Sequence, residues 1–104
     1  MTFEEFWYQI ETDIIPQLKV SKVKHKNGLI KSLRSKKQYL IDLQSNKNLK
    51  GQNRVEYFSH TWLTIAWYLN IIQHYCGIST KRLYDSAHWN GDNEIELNDN
   101  SSKH

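Results

Sequence analysis

A single cysteine, four scattered glycines and no long apolar run exclude several classes of function at once. Cys76 alone makes no internal disulfide, and the first ten residues, MTFEEFWYQI, are acidic where a secretory signal is basic, so the chain reads as cytoplasmic. The longest mainly apolar stretch, Trp62 to Ile72, is interrupted by Thr64 and Asn70 and is too short to cross a bilayer, so no membrane partner is expected. With no two glycines adjacent, neither a phosphate-cradling loop nor a dinucleotide fingerprint is present. The histidines at 25, 60, 74, 88 and 104 include no His-x-x-x-His pair, and one cysteine cannot supply a Cys-rich zinc pattern. Neither a metal site nor a cofactor is therefore expected. On one helix His60 and His74 would stand about 20 Å apart, too far to share an ion. Cys76 and His74, two residues apart, would point to different faces rather than form a nucleophile and base. No catalytic residues are assigned, and the chain is not expected to be an enzyme.

What the sequence does carry is aromatic weight and segregated charge. Aromatic residues make up 12% of 104 residues, four of them Trp, which is enough for one aromatic-rich core and argues against general disorder. Residues 1 to 90 are expected to form one domain, with 91 to 104 as a flexible acidic and polar tail. The net charge of +3 hides three blocks. Residues 1 to 18 hold four acids and no base, residues 19 to 54 hold eleven bases against the single acid Asp42, and residues 55 to 104 hold six acids and three bases. The basicity belongs to the middle third.

The expected fold is α+β. Thr2 followed by Glu5 is a capping box, and Phe3, Trp7, Ile10 and Ile14 recur at helical spacing until Pro16, which is expected to end the first helix. From Leu18 to Tyr57 the pattern reads as an antiparallel sheet of three to four strands. Segments 18 to 25 and 29 to 35 flank Asn27-Gly28, a strong signal for a two-residue hairpin turn. Segment 39 to 43 alternates as a third strand, and 54 to 57 is a short fourth. A long helix is expected from Ser59 to Gly77, with Phe58, Trp62, Ile65, Leu69, Ile72 and Cys76 as its core stripe. A short helix from Thr80 to about His88 follows.

The stretch from Ile72 to Leu83, IQHYCGISTKRL, resembles the turn region of a helix-turn-helix. The resemblance covers about a dozen residues. It implies that Gly77 is the turn glycine and that Ile78 and Leu83 are buried. Ser79, Thr80, Lys81, Tyr84 and Asp85 would then open a helix that such motifs place in the major groove. Gln73 stands where that pattern has a small residue.

Two surfaces are candidates for function. Lys19, Lys22, Lys24, Lys26, Lys31, Arg34, Lys36 and Lys37 form a basic segment suited to phosphate contacts, with Lys24 and Lys31 opposed across the expected hairpin. The first reading is accordingly a small non-enzymatic module that binds DNA or RNA through a lysine-rich β-hairpin. On the long helix His60, Leu63, Trp67, Ile71 and His74 lie opposite the core stripe, where an ordinary surface helix is polar. The second reading is therefore a homo-oligomer, most simply a dimer, that binds an acidic protein partner. A small-molecule binder with an aromatic pocket is a third.

Overall fold

A computed structural model of the chain describes residues 1–46 and 48–96, and every regular element among them is helical. Helix α1 covers residues 3–20, α2 is Lys26–Ser45, α3 is Gly51–Cys76 and α4 is Lys81–Asp92. The expected α+β fold is thus corrected to an all-α one, with no strand among the described residues.

Helix α1 starts at the expected N-cap, with the hydroxyl half of the capping box formed: the Thr2 hydroxyl accepts from the Glu5 backbone N–H at 3.1 Å. It does not stop at Pro16. A proline inside a helix clashes with the carbonyl four residues back, but here residues Ile10–Ile14 form a π-helical turn, in which the Ile15 N–H reaches the Ile10 carbonyl. That wider turn absorbs the ring, and Pro16 falls in the first turn of the regular segment Ile15–Val20, where its missing N–H is not needed. Ser21 then stops the helix, its hydroxyl donating to the Leu18 carbonyl at 2.8 Å.

The largest departure is α2. Asn27 and Gly28 lie in its first turn, and the left-handed residue that redirects the chain is His25, at φ 66°. Ile30, Leu33, Leu40 and Leu43 are buried at helical spacing over fourteen residues, with Leu29 packed against the same core. The residues between them are mostly Lys, Arg, Gln and Ser, and the segment has only two β-branched side chains, Ile30 and Ile41. The Asn-Gly pair is a signal two residues long; the 3.6-residue period runs the length of the helix and prevails. The opposition of Lys24 and Lys31 across strands therefore does not exist.

Helix α3 begins at Gly51, eight residues before the expected Ser59, whose hydroxyl instead donates to the Gly91 carbonyl at 2.7 Å. Its far end is as read from sequence: Gly77 is left-handed at φ 68° and Ile78 behind it is buried. Phe58, Trp62, Ile65, Leu69 and Ile72 are buried, and Cys76 packs at their edge. Phe6 of α1 meets Trp62 edge-on at 5.3 Å between ring centroids.

Direction follows from named contacts. Glu11 of α1 pairs with Arg34 of α2, while Lys26 at the start of α2 reaches the end of α1, so the two are antiparallel. Thr80 meets Leu69 and Gly91 meets Leu63, so α4 runs back along α3. Met1 and Glu5 face the later part of α4 while Gln9, Asp13 and Gln17 face its start, which makes α1 antiparallel to α4. The four helices therefore alternate in direction. Beyond α4, the Ile95 carbonyl accepts from the Trp62 indole N–H at 3.0 Å and Glu96 pairs with Arg54. Of the segment expected to be a tail, residues 97–104 lie outside the described residues.

Candidate functional site

The eight bases singled out from sequence have different local partners. Lys26 is committed locally, its Nζ donating to the carbonyls of Lys19 and Ser21, both at 2.7 Å, so that it closes the C-terminus of α1. Arg34 is engaged by Glu11 in a two-pronged pair, Nε and Nη2 each 2.9 Å from a carboxylate oxygen. That hydrogen-bonded guanidinium holds the Glu11 carboxyl below its ordinary range, with Lys37 and Lys19 adding to the effect. On α2, Lys31, Lys36 and Lys37 are separated by roughly 140°, 100° and 120° around the axis at 100° per residue. Lys36 lies 6.0 Å over the Tyr39 ring, and Lys37 sits in a shallow groove with Glu4 and Glu11. Lys22 and Lys24 are exposed in the connection between α1 and α2. Lys19, Lys31 and Arg34 share a groove, together with Asn27, Ile30 and Ser35. The reading of a lysine-rich β-hairpin that grips nucleic acid is overturned, because no hairpin is there to array the lysines.

Arg54, the last base of that block, has a structural task invisible in the sequence. Its guanidinium donates to the carbonyls of Leu43 at 3.0 Å and Asn46 at 3.1 Å at the open end of α2, and its Nε meets Glu96 at 3.0 Å. It also lies 5.3 Å over the Phe58 ring.

The second candidate set lies along one helix, although not every member faces outward. His60, Trp67 and His74 are exposed on the outer side of α3, and Leu63 and Ile71 are half-buried between them. Leu63 is turned toward Gly91 of α4, where a side chain would collide with it. Trp67 is 58% exposed although it is the largest side chain of the set. Tyr68 tilts against it at 5.4 Å between centroids, and Tyr57 and Tyr75 are exposed on the same flank. From sequence none of these tyrosines is assigned to this face; Tyr57, with Tyr39, reads there only as a stacking surface for single-stranded bases. Their spacing of eleven and seven residues, three turns and two, is the signal that places them in one column.

The segment from Ile72 to Leu83 runs from the last turn of α3 through an irregular connection over residues 77–80 into the start of α4. Ile78 and Leu83 are buried, Ser79, Lys81 and Asp85 are exposed, and Tyr84 is half-buried. Thr80 is drawn inward: its hydroxyl donates to the Leu69 carbonyl at 2.7 Å, with the Gln73 side-chain oxygen at 3.4 Å. Burial pushes the Cys76 thiol up, away from the reactive thiolate. Among the described residues no group of three His, Cys, Asp or Glu side chains is placed to hold a metal, and no helix is long and apolar enough to cross a membrane.

By its fold the chain is a small antiparallel helical bundle with an uncovered aromatic face. No family model, curated protein or solved structure matches it.

Proposed function

We propose that this chain is a non-catalytic helical assembly module that pairs with a second copy of itself through the outer face of α3. The observation that carries the reading is the exposure of Trp67, 58%, at the centre of a symmetric set. His60 and His74 stand seven residues to either side of it, and Leu63 and Ile71 four to either side. In an antiparallel two-fold pairing centred on Trp67, His60 of one copy faces His74 of the other and Leu63 faces Ile71. Such a patch is self-complementary, as a closed dimer requires. A large aromatic ring at the middle of an interface is also the type of residue that dominates association energy.

Sedimentation tests this. The wild-type chain is expected at twice its 12.4 kDa mass. Trp67→Glu, which places a charge where association would desolvate it, is expected to weaken pairing by about 2 kcal/mol or more, on the order of 30-fold in Kd, while leaving helix content unchanged. A wild-type monomer at high concentration, or a Trp67→Glu dimer as tight as wild type, overturns the reading.

A further inference from the structure

Asn90 is out of keeping with its surroundings. It lies on the core side of α4 with Leu83 and Ala87 and is only 3% exposed, yet its side-chain amide has no hydrogen-bond partner among the described residues. A primary amide offers two donors and an acceptor. Among the described residues the enclosed side-chain atoms without a partner are Trp7 Nε1 and Gln44 Oε1, so the Asn90 amide opens onto space that a ligand or water can fill. It lines a cleft of about 490 Å³ between the start of α1 and α4, a size within the range of small-molecule sites.

The rest of the cleft is chemically specific. Met1 lies just before α1 and Glu5 in its first turn, and Arg82, Asp85, Ser86 and Trp89 come from α4. Asp85 is taken by Lys81, whose Nζ is 3.1 Å from a carboxylate oxygen. That leaves the Glu5 carboxylate against the Arg82 guanidinium and the Met1 α-ammonium as the charges at the cleft with no ion-pair partner among the described residues. Trp89, 55% exposed, supplies a flat apolar wall.

We infer that this cleft binds a small zwitterion of the α-amino acid class with an apolar side chain. Arg82 takes the carboxylate, Glu5 the ammonium, Trp89 and Met1 the side chain, and the Asn90 amide the polar atoms at the cleft floor. The charge pattern selects the class: a simple anion satisfies Arg82 but leaves Glu5 unmatched, and a simple cation satisfies Glu5 but is opposed by Arg82 and by the Met1 ammonium. A zwitterion satisfies both. The inference is independent of pairing through α3, because the groups it uses lie at the start of α1 and on α4 rather than around Trp67.

The test follows the tryptophan indole N–H signals by NMR, with that of Trp89 assigned through Trp89→Phe and L-phenylalanine as the probe. The Trp89 signal is expected to shift saturably in the low millimolar range or below. 2-Phenylethylamine, which lacks the carboxylate, and 3-phenylpropionate, which lacks the ammonium, are each expected to bind on the order of tenfold more weakly. Arg82→Gln and Glu5→Gln are surface changes that leave the fold intact, and each should weaken L-phenylalanine by a similar factor. Asn90→Ala should weaken it too, but the two charge variants decide the matter if that protein fails to fold. Absence of a saturable shift, equal binding of either half-ligand, a response at Trp67 in place of Trp89, or full binding by Arg82→Gln overturns the inference.

Discussion

Between α3 and α4 the helices meet at short range and without charge: Leu63 occupies the space a Gly91 side chain would need, Ser59 donates to the Gly91 carbonyl and Thr80 to that of Leu69. Between α1 and α2 the specific polar contacts are charged and lie at the surface, in the Glu11–Arg34 pair and the Lys26 ammonium on two carbonyls. The difference teaches where each hairpin is vulnerable. A neutral hydroxyl on a carbonyl within a packed seam is indifferent to salt and titrates nowhere near neutrality. An exposed ion pair responds to both. The first seam should tolerate changes of solution and not of volume, the second the reverse.

The largest expected effect falls where the two hairpins join. Arg54 spans that junction, holding the open carbonyls of α2 from the first turn of α3 and pairing with Glu96. Arg54→Met keeps most of the side-chain bulk and removes every donor, and should cost about 1.5–3 kcal/mol in urea unfolding. Lys22→Met and Lys24→Met, on exposed lysines of the same basic block, should stay within about 0.5 kcal/mol. If all three variants lose the same stability, the charged block acts as one field and not through Arg54's particular partners.

Gly91→Ala comes next. The added methyl would stand 2.5 Å from Leu63 Cγ and 3.2 Å from its backbone nitrogen, so the helices must separate or Leu63 must change rotamer. Overpacking of this kind costs about 1–3 kcal/mol. Adding Leu63→Ala should recover part of that loss, a non-additivity that marks direct contact. A fully additive pair would show that Gly91 matters for some reason other than close approach.

How much of this was legible beforehand divides along the same line. The N-cap at Thr2, the buried stripe from Phe58 to Ile72 and the left-handed Gly77 followed by buried Ile78 were all readable, because each rests on a backbone requirement or on a long uninterrupted period. Helix α2 was not, because Asn27-Gly28 and the alternation from Tyr39 to Leu43 are genuine local β signals, and they lose only when Ile30, Leu33, Leu40 and Leu43 are counted together as one face. The hidden tasks of Lys26 and Arg54 were out of reach for a different reason: their acceptors are backbone carbonyls at helix ends, which no side-chain pattern announces. On the candidate surfaces, the outer face of α3 was visible as a stripe, whereas the cleft beside Asn90 needs residues from both ends of the chain.

The smallest effect is the one that isolates the charged seam. Both side chains of the Glu11–Arg34 pair are well exposed, so a double-mutant cycle with Glu11→Gln and Arg34→Gln should return a coupling of about 0.2–1 kcal/mol, diminishing as salt is added. Its pH dependence has a definite sign. The Arg34 hydrogen bonds hold the folded-state carboxyl of Glu11 below its ordinary value of 4.5, so in the acid range the unfolded chain binds the proton more readily than the folded one. The pair's contribution is complete above that ordinary value and is lost as the pH falls through the depressed one. The coupling measured at neutral pH should therefore vanish in strong acid, while the Gly91→Ala penalty, which involves no titrating group, should change little over the same range. A coupling that survives both acid and high salt would mean that the 2.9 Å contacts act through packing, and the contrast between the two seams would then be one of degree.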